Sequence, residues 1–372
     1  MITLEELGAW LRLLETPQVG RESARRLLAA FGSPQAAIAA TTAARDAVVG
    51  PARAAALAIA PDTLAALIDT TWAWLSDQST EEARDVVTLG DSRYPSALLD
   101  APDPPVLLYV QGRIELLQAP SLAVVGSRSP TPQGADNARA FASHLSHSGL
   151  TVVSGMAMGV DAAAHAGGLE GAASTIAVVG TGLDRVYPKR HLNLAHRIAR
   201  DGLIVSEYAF GTPPLAPNFP QRNRIIAGMA CGTLVVEAAV QSGSLITARM
   251  ANEAGRDVFA IPGSIHSPQS RGCHALIKQG AKLVETAQDI LEELRWPTAS
   301  SGAPQAPTLA ADDSSPHTLL LDAMGFDPVT LDALVARTSW NASTLNVALL
   351  GLELDGAVAR LPGQLFQRTP QA

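Results

Sequence analysis

The pattern of apolar and polar residues divides the chain into regions of different structure. Up to about residue 80, Ala and Leu recur at helical spacing, which predicts an N-terminal helical domain over residues 1–80. From residue 121 onward, short apolar runs alternate with helix-like segments. The strand-like runs are residues 122–127, 150–155, 175–180, 203–208, 233–238 and 258–263. Because these runs are continuously apolar, both faces of their strands should be covered, which predicts an α/β fold with a doubly wound parallel sheet.

The regions on either side of this sheet complete the expected domain organisation. Residues 85–120 contain several prolines and predict an extended connector with a strand at "VLLYVQG", so the central domain is expected to cover 85–296. Residues 297–316 are rich in Pro, Ala and Ser and predict a flexible linker. Residues 317–372 predict three helices and a two-stranded wing with Pro362-Gly363 at its turn, which is the pattern of a winged-helix domain.

The N-terminal region contains a more specific pattern. The segment "PQVGRESARRLLAAFGSPQAAI" predicts two short helices separated by Phe31-Gly32-Ser33. Its Val19-Gly20 turn resembles helix-hairpin-helix (SAM-like) modules, some of which bind DNA phosphates through backbone amides. A plain helical packing domain is the favoured interpretation, with Trp72 and Trp74 in its core.

Charge is distributed unevenly along the chain. The formal net charge is −8, but residues 121–296 hold 15 basic and 13 acidic residues, a balance of +2. Because salt screens charges over about 8 Å, this local balance permits a polyanionic partner in the central region. No signal peptide, no apolar run of about 18 residues and no CxxC motif around Cys231 or Cys273 occurs. We therefore expect a cytoplasmic protein with no membrane span, disulfide framework or metal site.

Ligands of open α/β sheets bind beyond the carboxyl ends of the strands. These ends carry small or polar residues, as in Gly126-Ser127-Arg128, and "SGMAMGVD" (154–161) and "QSGSLITA" (241–248) place Ser and Gly at helix starts. Unpaired N–H groups and the helix dipole favour an anion there. The spacings GxGxxG, GxxxxGK[ST] and GxSxG are all missing, so neither a nucleotide cofactor nor serine-hydrolase chemistry is expected.

Several titratable and aromatic residues surround this predicted edge. Asp161 and His165, four apart on a predicted helix, are interpreted as structural, whereas Glu237 could either act chemically or orient a neighbouring loop. Cations and rings together in loops are typical of sites for single-stranded nucleic acid. They are Arg128, Arg185, Lys189, Arg190, Arg222, Arg224, Arg271 and Lys278, with Tyr187, Tyr208, Phe210 and Phe219.

Six motifs together resemble the DNA-processing protein A (DprA/Smf) family, in its motif order and over about residues 85–296. They are "GSRSPTPQG", "VSGMAMGVDAAAH", "AVVGTGLDRVYPKRH", "FPQRNRIIAG", "EAAVQSGSLITARMANEAGRDVFAIPG" and "GCHALIKQGA". The resemblance implies an extended Rossmann-like fold that binds single-stranded DNA without hydrolysing it. The protein is therefore not expected to be an enzyme. It also implies a role in natural transformation, with protection of incoming strands, loading of the recombinase RecA, displacement of single-strand-binding protein, and a homodimer formed through the Rossmann-like domain.

The same resemblance implies which residues bind DNA. The family's phosphate pocket maps onto Gly126, Ser127, Arg128, Gly155, Ala157, Lys189, Ser242, Gly243, Ser244 and Thr247. Arg222 and Arg224 are expected in the same groove, and Lys278 lies in the region of the family's dimer interface. Arg190 follows Lys189, and which of these two contacts phosphate stays open. Gln133 stands where the family often has an aromatic ring.

Two other functions compete with DNA binding by the central domain. An enzyme that cleaves nucleoside monophosphates could use Glu237 and Arg224, but the chain has only "CGTLVVE" where such enzymes have PGGxGTxxE. A transcription factor could act through the winged helix. Its candidate recognition helix, residues 342–358, contains Glu353 and Asp355 and no Lys or Arg, which favours a protein-docking or regulatory role.

Overall fold

The computed structural model describes residues 2–297, 320–321, 323–324 and 328–369. The predicted linker over 297–316 lies outside the described residues, apart from Pro297, as does most of the first helix predicted after it. Within the described part of the chain, no helix is both long and apolar enough to cross a membrane.

Six helices form the N-terminal unit, as the helical spacing predicted. Thr3 and Glu6 form a capping box at the first helix, in which each side chain accepts a hydrogen bond from the other's backbone N–H. The predicted break is confirmed: Gly32 ends the second helix in the left-handed region, with φ +81°, and Ser33 caps the third. The helices are α1 Leu4–Glu15, α2 Arg21–Phe31, α3 Pro34–Ala39, α4 Thr42–Val49, α5 Pro51–Ala56 and α6 Leu64–Ser76.

A nine-stranded sheet forms the centre of the molecule, in the order β1-β2-β6-β5-β4-β3-β7-β8-β9. Strands β3 to β9 are parallel, whereas β2 pairs antiparallel with both β1 and β6. The six predicted strand-like runs are all confirmed. The strands are β1 Arg84–Thr88, β2 Leu107–Gly112, β3 Ser121–Val125, β4 Thr151–Ser154, β5 Thr175–Val179, β6 Leu203–Ser206, β7 Gly232–Val235, β8 Asp257–Ala260 and β9 Lys282–Leu283.

Helices cover both faces of this sheet, which confirms the doubly wound fold. Neighbouring residues of one strand belong to different apolar clusters: Val124 packs with Leu145 on one face, and Val125 packs with Ile225 on the other. The covering helices are α7 Ser96–Leu99, α8 Pro132–His147, α9 Val160–Gly168, α10 Leu192–Asp201, α11 Asn218–Met229, α12 Gly243–Glu253, α13 Arg271–Lys278 and α14 Ala287–Glu293.

The N-terminal helices pack against the β1–β2 edge of the sheet. Leu11 and Leu27 share one apolar cluster with Val86 of β1 and Tyr109 of β2. Trp72 and Trp74 pack against this cluster, as expected, and Phe210 also packs there. The helical unit and the sheet therefore share a continuous core.

The C-terminal unit has the predicted wing. Its described elements are α15 Leu331–Thr338, α16 Ala342–Leu354, and a three-stranded sheet of β10 Val329–Thr330, β11 Val358–Leu361 and β12 Leu365–Arg368. The wing turns at Gly363 and Gln364, which both have positive φ. Gln367 of β12 donates a side-chain hydrogen bond, 3.0 Å long, to Gln133 of α8, so the wing contacts the central domain.

Candidate nucleic-acid interface

A cavity of about 530 Å³ opens beyond the carboxyl ends of β3, β4 and β7. Most of the residues that the sequence assigned to a phosphate pocket line it together. They are Gly126, Ser127, Arg128, Ala157, Ser242, Gly243, Ser244 and Thr247, and Arg222, which was expected in the same groove, lines it with them. We call this cavity the anion pocket.

The loop after β3 forms one wall of the anion pocket. The Ser127 N–H donates to the Glu237 carbonyl at 2.7 Å, and the Ser129 N–H donates to the Ser127 hydroxyl at 3.1 Å. A Cβ on Gly126 would lie 2.7 Å from a methyl group of Val160, so only glycine fits there. These contacts fix the loop while the Arg128 side chain stays exposed at the mouth of the pocket.

Arg222 places a buried cation against the anion pocket. Its side chain comes from α11, the residue is 4% exposed, and Nη1 donates to the carbonyls of Gly155, at 2.5 Å, and Val178. Burial lowers the pKa of Arg222 to about 10, and nearby Asp161 opposes that shift. The guanidinium therefore stays protonated at neutral pH and supplies a fixed positive charge.

The turn over residues 154–157 is held by hydrogen bonds within the protein. The N–H groups of Gly155 and Ala157 donate to the Asp161 carboxylate at 3.1 and 3.2 Å. The Met156 N–H donates to Nε2 of His165 at 3.2 Å. These three amides are thus already engaged, so Gly155 and Ala157 shape the anion pocket without offering it their N–H groups. Gly155 lies behind the lining, where its carbonyl accepts from Arg222.

Asp161 and His165 have the structural role that the sequence favoured. Nε2 of His165 accepts, so the ring proton lies on Nδ1, 2.7 Å from the Thr175 hydroxyl. Burial lowers the pKa of His165 to about 3, and Arg222 contributes in the same direction, so the ring is neutral. Burial raises the pKa of Asp161, against the opposing charge of Arg222.

The N-terminus of α12 forms the opposite wall of the anion pocket. Ser242 is its N-cap, and the Ser242 and Ser244 hydroxyls are 2.7 Å apart. Gly243 has open space around its Cα, and Thr247 lies one turn further along the helix. The positive end of the helix dipole thus faces a pocket that Arg222 and Arg128 also make positive, which favours a phosphate.

A row of cationic and aromatic side chains leads out of the anion pocket. The Arg128 guanidinium lies over the Phe219 ring, 5.9 Å from its centroid, and the Tyr187 ring is 5.4 Å from that of Phe219. Tyr187 is 48% exposed, and the exposed Lys189 and Arg190 follow it in the chain. We call Arg128, Phe219 and Tyr187 the stacking row. Lys189 and Arg190 lie beside this row and not in the pocket lining.

His191 connects the loop that carries Tyr187 to the turn over residues 154–157, a link that sequence reasoning missed. Its Nδ1–H donates to the Met156 carbonyl at 3.0 Å, and Met156 is held at φ +56°. Non-glycine residues rarely adopt such a φ, and they do so mostly where neighbouring contacts enforce it. The histidine stood in the motif "YPKRH", but no spacing rule pointed to its partner 35 residues earlier.

Arg224 lies elsewhere, contrary to the expectation that it shares a groove with Arg222. Arg224 forms ion pairs with Glu207 and Asp103, and Asp103 also pairs with Arg21 and Arg25 of α2. These five side chains form a charged cluster between the N-terminal helices and the sheet. Lys278 is exposed at the end of α13. Neither Arg224 nor Lys278 lines the anion pocket.

The four aromatic rings that the sequence grouped with the cations do not lie together in the structure. Phe210 packs against Trp74, with ring centroids 5.0 Å apart, and belongs to the N-terminal core. The Tyr208 hydroxyl donates to the Asn218 carbonyl at 3.1 Å. Of the four rings, the exposed Tyr187 and the half-buried Phe219 form the pair beside the anion pocket.

Glu237 orients a loop, which was one of its two open roles. Its carboxylate accepts from the Thr131 N–H at 2.9 Å and from the Thr131 hydroxyl at 2.6 Å, and burial raises its pKa. A Cβ on Gly134 would lie 2.5 Å from Oε1 of Glu237, so the start of α8 is closely fitted to this carboxylate. Glu237 and Arg224 have separate partners, so the structure does not form the catalytic pair that the sequence offered as an alternative. Among the described residues, no group of three or more His, Cys, Asp or Glu side chains could hold a metal ion.

Three family models match successive regions of the chain. Residues 85–295 match the family described as DNA recombination-mediator protein A, residues 5–66 a DprA-like N-terminal HHH domain, and residues 304–364 the DprA winged-helix domain. The chain is 43% identical to protein Smf of Escherichia coli over 276 residues, which covers 73% of this chain and 74% of that protein. It is 50% identical over 206 residues to the DNA processing protein DprA of Streptococcus pneumoniae, covering 55% of this chain and 73% of that protein.

Two solved structures are also similar. That of DprA from Streptococcus pneumoniae has a TM-score of 0.67 at 38% identity and covers 78% of this chain and 98% of that chain. A structure described as giving the single-stranded DNA binding mode of DprA from Helicobacter pylori has a TM-score of 0.52 at 29% identity, with coverages of 58% and 97%.

Proposed function

Because the chain belongs to the DNA recombination-mediator protein A family, we propose that it is a mediator that binds single-stranded DNA. We propose further that it acts in the cytoplasm in natural transformation, where it protects incoming strands, loads RecA and displaces single-strand-binding protein. The homodimer through the central domain, in the region of Lys278, belongs to the same proposal. The observation that carries DNA binding is the continuity of the anion pocket with the stacking row.

The anion pocket supplies the phosphate contact. One backbone phosphate would lie between Ser127, Arg128 and the first turn of α12, over the buried charge of Arg222. Phosphate contacts fix the position of a strand without reading its sequence. This part of the interface therefore binds any strand, with an affinity that falls as salt rises.

The stacking row supplies the contact that selects single strands. A base can stack on Tyr187 or Phe219 only if it has left its neighbours in a duplex, and each such stack contributes about 1–3 kcal/mol. Lys189 and Arg190 follow Tyr187 and are exposed, so they can bind the next phosphate along the strand. Phosphate site, rings and cations in this order would contact phosphate, base and phosphate in turn along one strand.

The proposal includes no catalysis. Both Glu237 oxygens accept hydrogen bonds from Thr131, and Arg224 is paired with Glu207, so the acid and the cation of a nucleosidase site are not assembled. Incubation of the protein with nucleoside monophosphates should release no free base. Release that is lost in Glu237→Gln would favour the enzyme instead.

Full-length protein and labelled oligonucleotides test the proposal by fluorescence anisotropy over a salt series. We expect the single strand to bind at least 10-fold more tightly than the duplex of the same sequence. Arg128→Ala with Lys189→Ala should weaken single-strand binding at least 10-fold and reduce the magnitude of the logarithmic salt slope by about 1.4, since each phosphate contact on single strands contributes about 0.7.

The matched control removes two exposed cations elsewhere. Arg200 pairs with Asp201 and Lys282 pairs with Glu293, both on the surface, so Arg200→Ala with Lys282→Ala changes the net charge equally. This control should bind within about twofold of the unchanged protein. If both double variants lost affinity equally, the loss would come from net charge alone. Unchanged binding by the Arg128→Ala, Lys189→Ala variant would overturn the proposal.

A further inference from the structure

The last long helix of the chain has apolar residues on two opposite faces. On α16, Leu345, Leu349 and Leu352 are buried in the core of the C-terminal unit. On its outer side Val347, Leu350 and Leu354 are 72%, 58% and 80% exposed. Their spacing of three and four residues places them in one stripe. An exposed apolar stripe opposite the core face of a helix often marks a binding surface, so this stripe is suited to a partner.

The charges around the stripe disfavour nucleic acid and constrain the partner. Glu353 lies in the last turn of α16 and Asp355 is its C-cap, and the helix has no basic residue in its last turn. Acidic side chains at a helix C-terminus face the negative end of the helix dipole, which is unfavourable by about 0.3–1 kcal/mol each. A partner that brings a positive helix N-terminus to this end would relieve that cost.

We propose that the stripe is a self-association surface, on which α16 pairs antiparallel with α16 of a second copy of this chain. An antiparallel copy with its axis beside Leu350 brings its own N-terminal turn, which begins after the Asn341 cap, level with Asp355, and Glu353 lies two residues before that point. Because the pair is two-fold symmetric, each helix C-terminus gains the positive N-terminus of the other copy beside its acidic residues. The chain thus supplies the complementary charge itself.

The positions in the stripe fit this symmetry. With the two-fold axis beside Leu350, Leu350 packs on its own symmetry mate, and Val347 of one copy packs on Leu354 of the other. Gly351 lies on the same side of the helix, four residues after Val347, and allows two backbones to approach closely. A glycine in a helix interior costs about 1 kcal/mol relative to alanine, so its presence there suits a close contact.

The contact is small. One stripe of three side chains covers far less than the roughly 800 Å² per partner of a standard interface, so we expect association only at high micromolar concentrations. Copies that bind one DNA strand side by side would be held at such effective concentrations. The surface is separate from the anion pocket and from the region of Lys278, and its association does not require DNA.

Disulfide trapping in the full-length protein tests the geometry. At about 100 μM and under mild oxidation, Leu350→Cys should form a covalent dimer with itself. A mixture of Val347→Cys and Leu354→Cys should cross-link far better than either variant alone, because the two positions face each other only across copies. Yields are read on non-reducing gels against the unchanged protein, in which Cys231 and Cys273 are both free thiols.

Ile59→Cys is the matched control, because Ile59 is 75% exposed and lies away from α16. It should cross-link no more than the unchanged protein. In sedimentation at about 200 μM, Leu350→Lys should reduce self-association at least fivefold while the protein stays folded, since this side chain is exposed. Equal cross-linking of Leu350→Cys and Ile59→Cys, or unchanged sedimentation of Leu350→Lys, would overturn the proposal.

Discussion

The Arg222 guanidinium occupies the space that a side chain on residue 155 would need. A Cβ on Gly155 would lie 2.5 Å from Cζ of Arg222, and Nη1 of the same guanidinium donates to the Gly155 carbonyl. Gly155→Ala therefore displaces a buried cation from its two carbonyl partners. We expect a loss of about 2–4 kcal/mol in the free energy of unfolding, measured by urea denaturation, and weaker single-strand binding.

Gly243→Ala is the control for this change. Gly243 begins α12 and has open space around its Cα, so an added methyl should alter the free energy of unfolding by less than about 1 kcal/mol. If Gly155→Ala were as stable as Gly243→Ala, the close fit of Arg222 behind the pocket would be wrong.

The stacking row gives a prediction that separates rings from charges. Tyr187→Leu should lower single-strand affinity about 5- to 150-fold, because one base–ring stack contributes roughly 1–3 kcal/mol. The salt slope should stay the same, since no cation is removed. Tyr187→Phe keeps the ring and should bind as the unchanged protein does. A lower salt slope in Tyr187→Leu, or equal affinities of the two variants, would contradict base stacking at this position.

Most strands of the sheet could be predicted from the sequence because helices cover both of their faces. Buried parallel strands need continuous apolar runs, and runs such as "TIAVVG" are visible without any partner. β1 was missed because its sequence, "RDVVT", has only two apolar residues, which become buried once β1 pairs with β2. That pairing depends on a contact between chain segments 20 residues apart.

The candidate site was only partly predictable for a similar reason. Arg222 and Arg224 stand two residues apart in "FPQRNR", but residues two apart on a helix point in different directions. α11 therefore sends Arg222 to the anion pocket and Arg224 to Glu207 and Asp103. The role of Glu237 likewise depends on Thr131, which lies 106 residues earlier. Spacing in the sequence contains no information on these partners.

The location of Arg224 leads to a prediction opposite to its expected role in DNA binding. Arg224→Met leaves Glu207, whose side chain is 10% exposed, without its main cation. We expect a loss of about 2–4 kcal/mol in stability, with single-strand affinity within about twofold of the unchanged protein. In the double variant with Glu207→Gln, the two losses should be less than additive, because both remove the same ion pair. A 10-fold loss of DNA affinity in Arg224→Met would return this residue to the DNA-binding surface.

The neutral His165 ring makes stability depend on pH in a defined direction. Its pKa in the folded protein is about 3, below the ordinary value of 6.5, because burial and Arg222 both disfavour the cation. Between pH 6.5 and 3 the unfolded chain therefore takes up a proton at this residue that the folded protein does not. Stability from this source is complete above pH 6.5 and decreases as the pH falls, by up to ~1.4 kcal/mol per pH unit.

His165→Gln removes this titration and retains an acceptor for the Met156 N–H. The free energy of unfolding, measured by urea denaturation from pH 7 to 4.5, should fall more steeply in the unchanged protein than in His165→Gln. Other groups that titrate in this range, such as Glu237 and Asp161, are common to both proteins and cancel in the difference. Parallel curves would show that the ring titrates in the folded protein as it does in the unfolded chain, which would contradict the acceptance of the Met156 N–H by Nε2.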